Sequence, residues 1–356
     1  MHRPKSTSTF DKRLSRSVAA TCACCAILYL VAFLWNYENN FLIFIANVFA
    51  PALLLLISAA TLITELYGYS RGRAQLLRDR LVRGCLIFVM LIPTVAGELR
   101  SHEQPPRTAN TPTTQLSVLD VNLLGPRNVA DGFYEEIARR RPDIITVQEL
   151  NPTVAQRLLA QFGATYMCQH LEPQPGVMGM GILAKFPCVK RESPRFMPGI
   201  GLPQIVDLTL PGGTTIGVIN VHTIPPHTLL KHKPSDNELQ QLSNSIIHRE
   251  AFVKKIIEDS RAVATDAAIL AGDFNATARN RVYRIVREMG FYDTFAVGSR
   301  VSGGTWPGPD FPLPSWLVRI DFIFHSAALR ALHAETLAEG YGSDHRGVFA
   351  TVAVVQ

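Results

Sequence analysis

The chain has 356 residues and a formal net charge of +6 at neutral pH, unevenly placed: residues 1–100 hold 11 basic and 5 acidic side chains, residues 101–356 hold 24 of each. The basic excess therefore belongs to an apolar N-terminal third and speaks of membrane topology rather than a nucleic-acid surface. Six cysteines without a CxxC…CxxC pattern argue against a zinc module.

Residues 1–17 are polar and basic. Val18 to Trp35 is apolar and uncharged, long enough to span a bilayer. A cleaved signal peptide is the rival reading, but no small-x-small cleavage site is evident and two more apolar runs follow. Phe41 to Leu66 is the second run, broken by Pro51. Residues 68–83 carry five arginines against Asp79. Leu86 to Ala96 is the core of a third, shorter run, Leu81 to Leu99 overall. Positive residues gather before the first run and between the second and third, which makes both segments cytoplasmic and leaves everything after residue 100 on the outer side. The expected partition is a membrane region over 1–99 with three transmembrane helices, a polar proline-bearing linker over 100–114, and a soluble domain over 115–356. Fully extended, the linker reaches about 45 Å. Cys22, Cys24, Cys25 and Cys85 lie in apolar stretches. Cys168 and Cys188 lie in the soluble part, where an oxidising compartment would permit a bond that spacing alone does not decide.

From Gln115 the pattern is strand, helix, strand. Leu116 to Asn122 predicts a strand. Val129 to Arg141 predicts an amphipathic helix with Phe133, Ile137 and Ala138 on one face. Ile144 to Glu149 predicts a buried strand, and residues 153–162 a helix. Further strands are expected at Gly179–Ala184, Gln204–Leu210 and Thr215–Val221, the last running into His222. Glu238 to Ser260 predicts a long helix. The apolar run Ala267–Ala271 predicts a strand, followed by Gly272 as a turn and then Asp273-Phe274-Asn275. A helix is expected around 279–289, an aromatic and proline-rich loop at 302–316, then Arg319 to Phe324 and a last strand from Gly347 to Val355. Strands with interspersed helices define a layered α/β domain.

Polar residues stand at the ends of nearly all these strands: Asn122, Glu149, His222, Asp273, Asn275, Asp321, Asp344 and His345. Singly, each has a structural explanation; Glu149 would cap the helix at 153, and Asp273 with Asn275 would make a turn. Together they converge if the strands share sheets, because ligands favour strand mouths in α/β layers.

These motifs, VLDVN, DIITVQE, GMGILAKFP, VINVH, LAGDFNA, RIDFIF and GSDHRGV in that order, resemble the endonuclease/exonuclease/phosphatase family over about residues 115–356. The resemblance implies a four-layered α/β sandwich of the DNase-I-like kind and a metal-dependent phosphoesterase. It implies Glu149 as the main Mg²⁺ ligand, with Asn122 and Asp344 near the ion and Mn²⁺ as the alternative metal. Asp273 is placed to orient or deprotonate the attacking water, Asn275 to hydrogen-bond phosphate or water, and His345, fixed by Asp321, to work as a dyad beside the phosphate. His222 would donate to a phosphate oxygen or help the leaving group; Asp273 and His345 both remain open as the base. Two positions depart from the family pattern. Only Glu172 stands near the place of an acid partner for His222, and Gly347 replaces a proline.

Three N-terminal spans before this domain are similar to membrane-bound bacterial members, including teicoplanin-resistance membrane phosphatases. That implies a multi-pass protein of the bacterial inner (cytoplasmic) membrane with a periplasmic or extracytoplasmic site acting on a lipid-linked phosphate such as a polyprenyl pyrophosphate. The apolar loop Trp306 to Leu317 suits a membrane interface. His227, Lys231, His232, Lys233 and Arg249 are candidates to grip further phosphates. The alternatives are an extracytoplasmic nuclease or nucleotide phosphodiesterase, and an inactive phosphate-binding module. No protein partner is implied.

Overall fold

The computed structural model describes residues 38, 40–70, single positions between 84 and 99, 112–192, 200–225, 238–261, 267–297, 303–311 and 318–355. The chain forms two compact units, Met1–Ala96 and Gly97–Gln356. In the first, helix α1 (Phe41–Ser70) covers the second apolar run with Pro51 inside it. Its side chains are described for most of residues 41–59. Among the described residues no helix is long and apolar enough to cross a membrane. The expected first span lies outside the described residues, as does nearly all of the third.

The second unit contains the predicted strands and helices in their order, with four further strands, all at sheet edges, that were not expected. Its elements are β1 (Pro112–Asn122), α2 (Asp131–Arg140), β2 (Ile144–Gln148), α3 (Pro152–Phe162), β3 (Cys168–Glu172), β4 (Met180–Ala184), β5 (Cys188–Lys190), β6 (Gln204–Thr209), β7 (Thr215–His222), α4 (Glu238–Arg261), β8 (Ala268–Asp273), α5 (Arg281–Glu288), β9 (Phe291–Asp293), β10 (Asp321–Ser326), β11 (Leu329–Thr336) and β12 (Val348–Val355). They build two six-stranded sheets, ordered β11-β12-β1-β2-β4-β3 and β5-β6-β7-β8-β10-β9. At the middle of each is one parallel pair, β1 with β2 and β7 with β8.

The period-two alternation of the strands decides which residues face which layer. Leu116, Val118, Ile144, Ile182, Ile216, Val218, Ile269, Ala271 and Ile323 form a core drawn from both sheets. Leu119, Val121, Ile145 and Val147 point the other way, against Phe133, Ile137, Val154 and Leu158 of α2 and α3. The outer face of the second sheet meets α5, where the Tyr283 ring lies 5.3 Å from those of Phe322 and Phe324. The result is the expected sandwich, helices outside two facing sheets.

Several local expectations are corrected. The buried face of α2 is Phe133, Tyr134 and Ile137, while Ala138 is exposed. β1 begins at Pro112, inside the stretch expected as linker, because β12 runs far enough to pair Pro112 with Val355. Gly272 does not turn the chain. It sits within β8 at φ +140°, paired with Val221 and Phe322, and a Cβ there would lie 1.9 Å from the Val221 carbonyl oxygen. Only glycine permits that approach. Cys168 and Cys188 form a disulfide with Cα atoms 5.3 Å apart, joining an edge strand of each sheet.

Candidate active site

Strand register assembles the site. His222 pairs with Asp273 across β7 and β8, and Asp273 pairs with Asp321 across β8 and β10. Partners in adjacent strands present their side chains to one face, so the three form a row. In the facing sheet, Asn122 pairs with Gln148 at the end of β1 and β2. On the inward positions of these strands, apolar residues give way to polar ones toward the mouth: Leu116, Val118, Asp120, Asn122 in β1, and Ile216, Val218, Asn220, His222 in β7.

Asn122 closes the gap between the sheets. Its Nδ2 donates to Glu149 Oε1 at 3.2 Å and to Asp273 Oδ2 at 3.1 Å. Its Oδ1 accepts from the Leu124 amide at 3.1 Å. In this arrangement Asn122 organises the carboxylates as a donor, with its oxygen turned away from them. Glu149 stands one residue beyond β2 at φ 57°, a left-handed backbone that costs a non-glycine residue about 1 kcal/mol or more. Its Oε2 accepts from the Gly125 amide at 3.0 Å. The capping role that a simpler reading gives Glu149 belongs to Asn151, whose Oδ1 accepts from Val154 N at 2.9 Å.

The other half of the site comes from the loop before β12. Ser343 Oγ donates to the Asn122 carbonyl at 2.7 Å and accepts from the His345 amide at 3.0 Å. This holds His345 so that Nδ1 meets Asp321 Oδ2 at 2.9 Å and Oδ1 at 3.1 Å. Its Nε2 lies 3.8 Å from Asp273 Oδ2. The expected Asp321–His345 pair is formed. Asp344 is half-buried, close enough for its charge to act on both Glu149 and His345. His222 Nε2 lies 3.5 Å from Asp273 Oδ2 and 3.9 Å from Glu149 Oε1, and its Nδ1 is buried with no hydrogen bond among the described residues. Glu172 is not its acid partner; that carboxylate is 3.3 Å from His170 Nε2 on the same strand. Asn275 reaches the mouth at φ 45°, its backbone amide on Asp273 Oδ1 and its Nδ2 donating to the Thr223 carbonyl. Arg249 is buried and donates to the carbonyls of Ile224 and Asn275, so it supports the loop instead of gripping a phosphate. His227, Lys231, His232 and Lys233 lie outside the described residues.

Burial sets the charge of the site. It raises the Glu149 pKa, and together with the Asp321 charge it pushes Asp273 up to about 8. Burial alone would lower His345, but Asp321 and Asp273 more than offset it and carry the imidazole to about 10. Burial and the neighbouring His345 lower His222 to about 3. The mouth thus gathers carboxylates that are costly to ionise with one imidazolium among them. Hard oxygen donors crowded in this way fit a divalent cation, which would favour their charged forms. The ligand atoms of Asp273, Asp321 and His345 all lie within 4.8 Å of one another. Glu149, linked to Asp273 through Asn122, borders that group.

Two features escaped the sequence reading. Ser343 is the hinge pin of the loop, visible only as the residue before Asp344. Beneath the row lies a polar network: Asp120 Oδ1 accepts from Thr146 Oγ1 at 2.6 Å and Gln148 Nε2 at 2.8 Å, and Gln148 Nε2 also donates to Asn220 Oδ1 at 2.7 Å. Its signal was the polar residue at an inward position in each of VLDVN, IITVQ and VINVH.

Residues 121–345 match the Endonuclease/Exonuclease/phosphatase family, more than half of the chain, and the chain belongs to that family. It is a metal-dependent phosphoester hydrolase. Among solved structures, an endonuclease/exonuclease/phosphatase from Bacteroides vulgatus is 16% identical over 68% of this chain and 100% of that one, with a TM-score of 0.52. A family protein from Bacteroides thetaiotaomicron is 14% identical over 69% and 97%, TM-score 0.51. D. rerio TDP2, complexed with single strand DNA product, is 19% identical over 67% and 99%, TM-score 0.49. No curated protein sequence matches the chain.

Proposed function

We propose that the chain hydrolyses a lipid-linked phosphate or pyrophosphate with Mg²⁺ at an extracytoplasmic site, anchored by three N-terminal transmembrane helices in a bacterial cytoplasmic membrane. The Cys168–Cys188 disulfide carries the placement, since such bonds persist in oxidising compartments. The uneven charge of the N-terminal third supports the same side. A site tethered beside a bilayer meets lipid headgroups first, which favours a lipid carrier over nucleic acid.

The side chains divide the chemistry. Glu149 and Asp344 would hold the cation, with Asn122 setting the position of Glu149. When bound, Mg²⁺ supplies charge that polarises the phosphoryl oxygen. Asp273, aimed into the mouth and flanked by His222 and His345, orients the attacking water and takes its proton. The His345 imidazolium, fixed by Asp321, faces the charge that develops on phosphate. His222, neutral and buried, donates to a phosphate oxygen or to the leaving group.

Purified full-length protein in detergent, supplied with Mg²⁺, is expected to release phosphate from a polyprenyl pyrophosphate, and Glu149→Ala to abolish the release. Cleavage of plasmid DNA without lipid turnover would replace this reading with a nuclease. Bound metal with no turnover of any phosphoester would leave a binding module. A reporter fused after Gln356 that works only in the cytoplasm would overturn the placement.

A further inference from the structure

Large apolar side chains that stay exposed on a soluble domain acquire meaning when they gather around a functional opening. Three do so here: Met178 is 49% exposed, Leu202 48% and Phe311 43%. Each sits on a different loop, and each loop is tied by a backbone hydrogen bond to the site or its immediate neighbour. Gly179, next to Met178, accepts from the amide of Leu150, the residue after Glu149, at 2.9 Å. Ile200, two residues before Leu202, donates to the carbonyl of His222 at 3.2 Å. Gly308 donates to the carbonyl of Asp344 at 2.6 Å and accepts from the amide of Phe311 at 3.1 Å. The first two loops also touch: a Cβ on Gly201 would lie 2.7 Å from the Met178 carbonyl oxygen. The three loops that carry these exposed side chains therefore border the mouth, on the sides of Glu149, His222 and Asp344. Met167 and Val189, also exposed, flank the disulfide cysteines near the opposite strand ends and belong to no such arrangement.

We infer that Met178, Leu202 and Phe311 form an apolar rim that docks on the surface of a lipid bilayer, bringing the catalytic mouth to a phosphate at headgroup depth. The inference rests on the proposed membrane anchoring. The occupant follows from the chain itself: three apolar runs precede the domain, and the residues between them and Pro112 at the start of β1, 100–111, reach at most about 37 Å when fully extended. A balance of 24 basic and 24 acidic side chains over residues 101–356 offers no net charge to attract a polyanion. Aromatic and large aliphatic side chains favour the interfacial region of a bilayer. The rim deepens the substrate assignment: a phosphate presented by a membrane is taken in preference to the same phosphoester free in water.

The test uses the full chain reconstituted in phosphatidylcholine vesicles. In one arm, Phe311→Trp is compared with the unaltered protein in vesicles whose acyl chains carry bromine. Additional quenched emission from the variant is the expected result. In the second arm, the ratio of turnover of a vesicle-borne polyprenyl phosphate to that of a water-soluble aryl phosphodiester is measured. Removing half-exposed apolar area at three positions in Met178→Gln/Leu202→Gln/Phe311→Gln is expected to lower this ratio by about tenfold or more. No additional quenching, or an unchanged ratio, overturns the inference while leaving the lipid hydrolase intact. Failure of the unaltered protein to hydrolyse any lipid phosphate refutes the proposed substrate instead, and the quenching arm alone then decides the rim.

Discussion

Asn220→Ala is expected to loosen the two sheets where they carry the site. Asn220 is fully buried on β7 of the second sheet, and its side-chain hydrogen bonds to Val147, Gly181 and Gln148 cross to the first. Its Nδ2 donates to the carbonyls of Val147 and Gly181, each at 3.0 Å, and its Oδ1 accepts from Gln148 Nε2 at 2.7 Å. Three buried bonds at about 1 kcal/mol net each give a loss of about 3 kcal/mol. For a domain of this size that lowers the melting temperature by about 6–12 °C. Activity should fall as well, because Gln148 precedes Glu149 and Asn220 lies two residues before His222. Val218→Ala is the comparison: it removes methyls from the same inward face of β7, at about 2 kcal/mol, without touching a bond between sheets. Circular dichroism melts and Mg²⁺-dependent turnover are measured on both full-length variants. Both should melt lower, and only Asn220→Ala should lose about tenfold in kcat as well. An Asn220→Ala protein that melts within about 2 °C of the unaltered one, with full turnover, would show that the bridge holds nothing in place.

Reducing the Cys168–Cys188 bond, which closes a loop across a sequence separation of 20, should destabilise the domain by about 3 kcal/mol; melts with and without reductant check this, and identical melts would refute it. Burial lowers the His325 pKa. The unfolded chain therefore takes up that proton first, and the His325 contribution to stability, fully present above about pH 6.5, is lost as pH falls toward the folded pKa. His325→Gln should flatten the decline in melting temperature between about pH 7 and pH 5; an unchanged slope would contradict the assignment. Asp321→Asn removes the charge that holds His345 protonated and should lower kcat by about a hundredfold or more with little change in KM, read by steady-state kinetics on a soluble phosphodiester. A loss confined to KM would make Asp321 a substrate-binding residue.

The strands that carry the site were legible because two signals coincide in them. VLDVN, IITVQE, VINVH and LAGD are apolar enough to be buried, and each ends in a side chain that burial would punish without a purpose. Short edge strands carried no such signal. β3, β5 and β9 are three to five residues long, and β11 alternates polar residues with small apolar ones, so each resembles loop. Gly272 was legible as a special glycine but not as a strand residue, because its requirement is the approach of β7, a contact distant in sequence. The disulfide had the same limit. The Asp120–Gln148–Asn220 network was hidden by the assumption that inward positions are apolar. Gly347, where the family pattern has proline, allows close packing that sequence does not show: a Cβ there would lie 2.8 Å from Val121 Cγ2 and 2.9 Å from Leu337 Cδ1.

The assignment of a divalent cation to the Glu149 side of the mouth is tested most directly by diffraction from crystals of the full-length protein soaked in Mn²⁺. The expected result is an anomalous peak about 2.0–2.3 Å from a Glu149 carboxylate oxygen, lost in Glu149→Gln. A peak held by Asp273, Asp321 and His345 that survives Glu149→Gln, or no peak in the mouth, would contradict it.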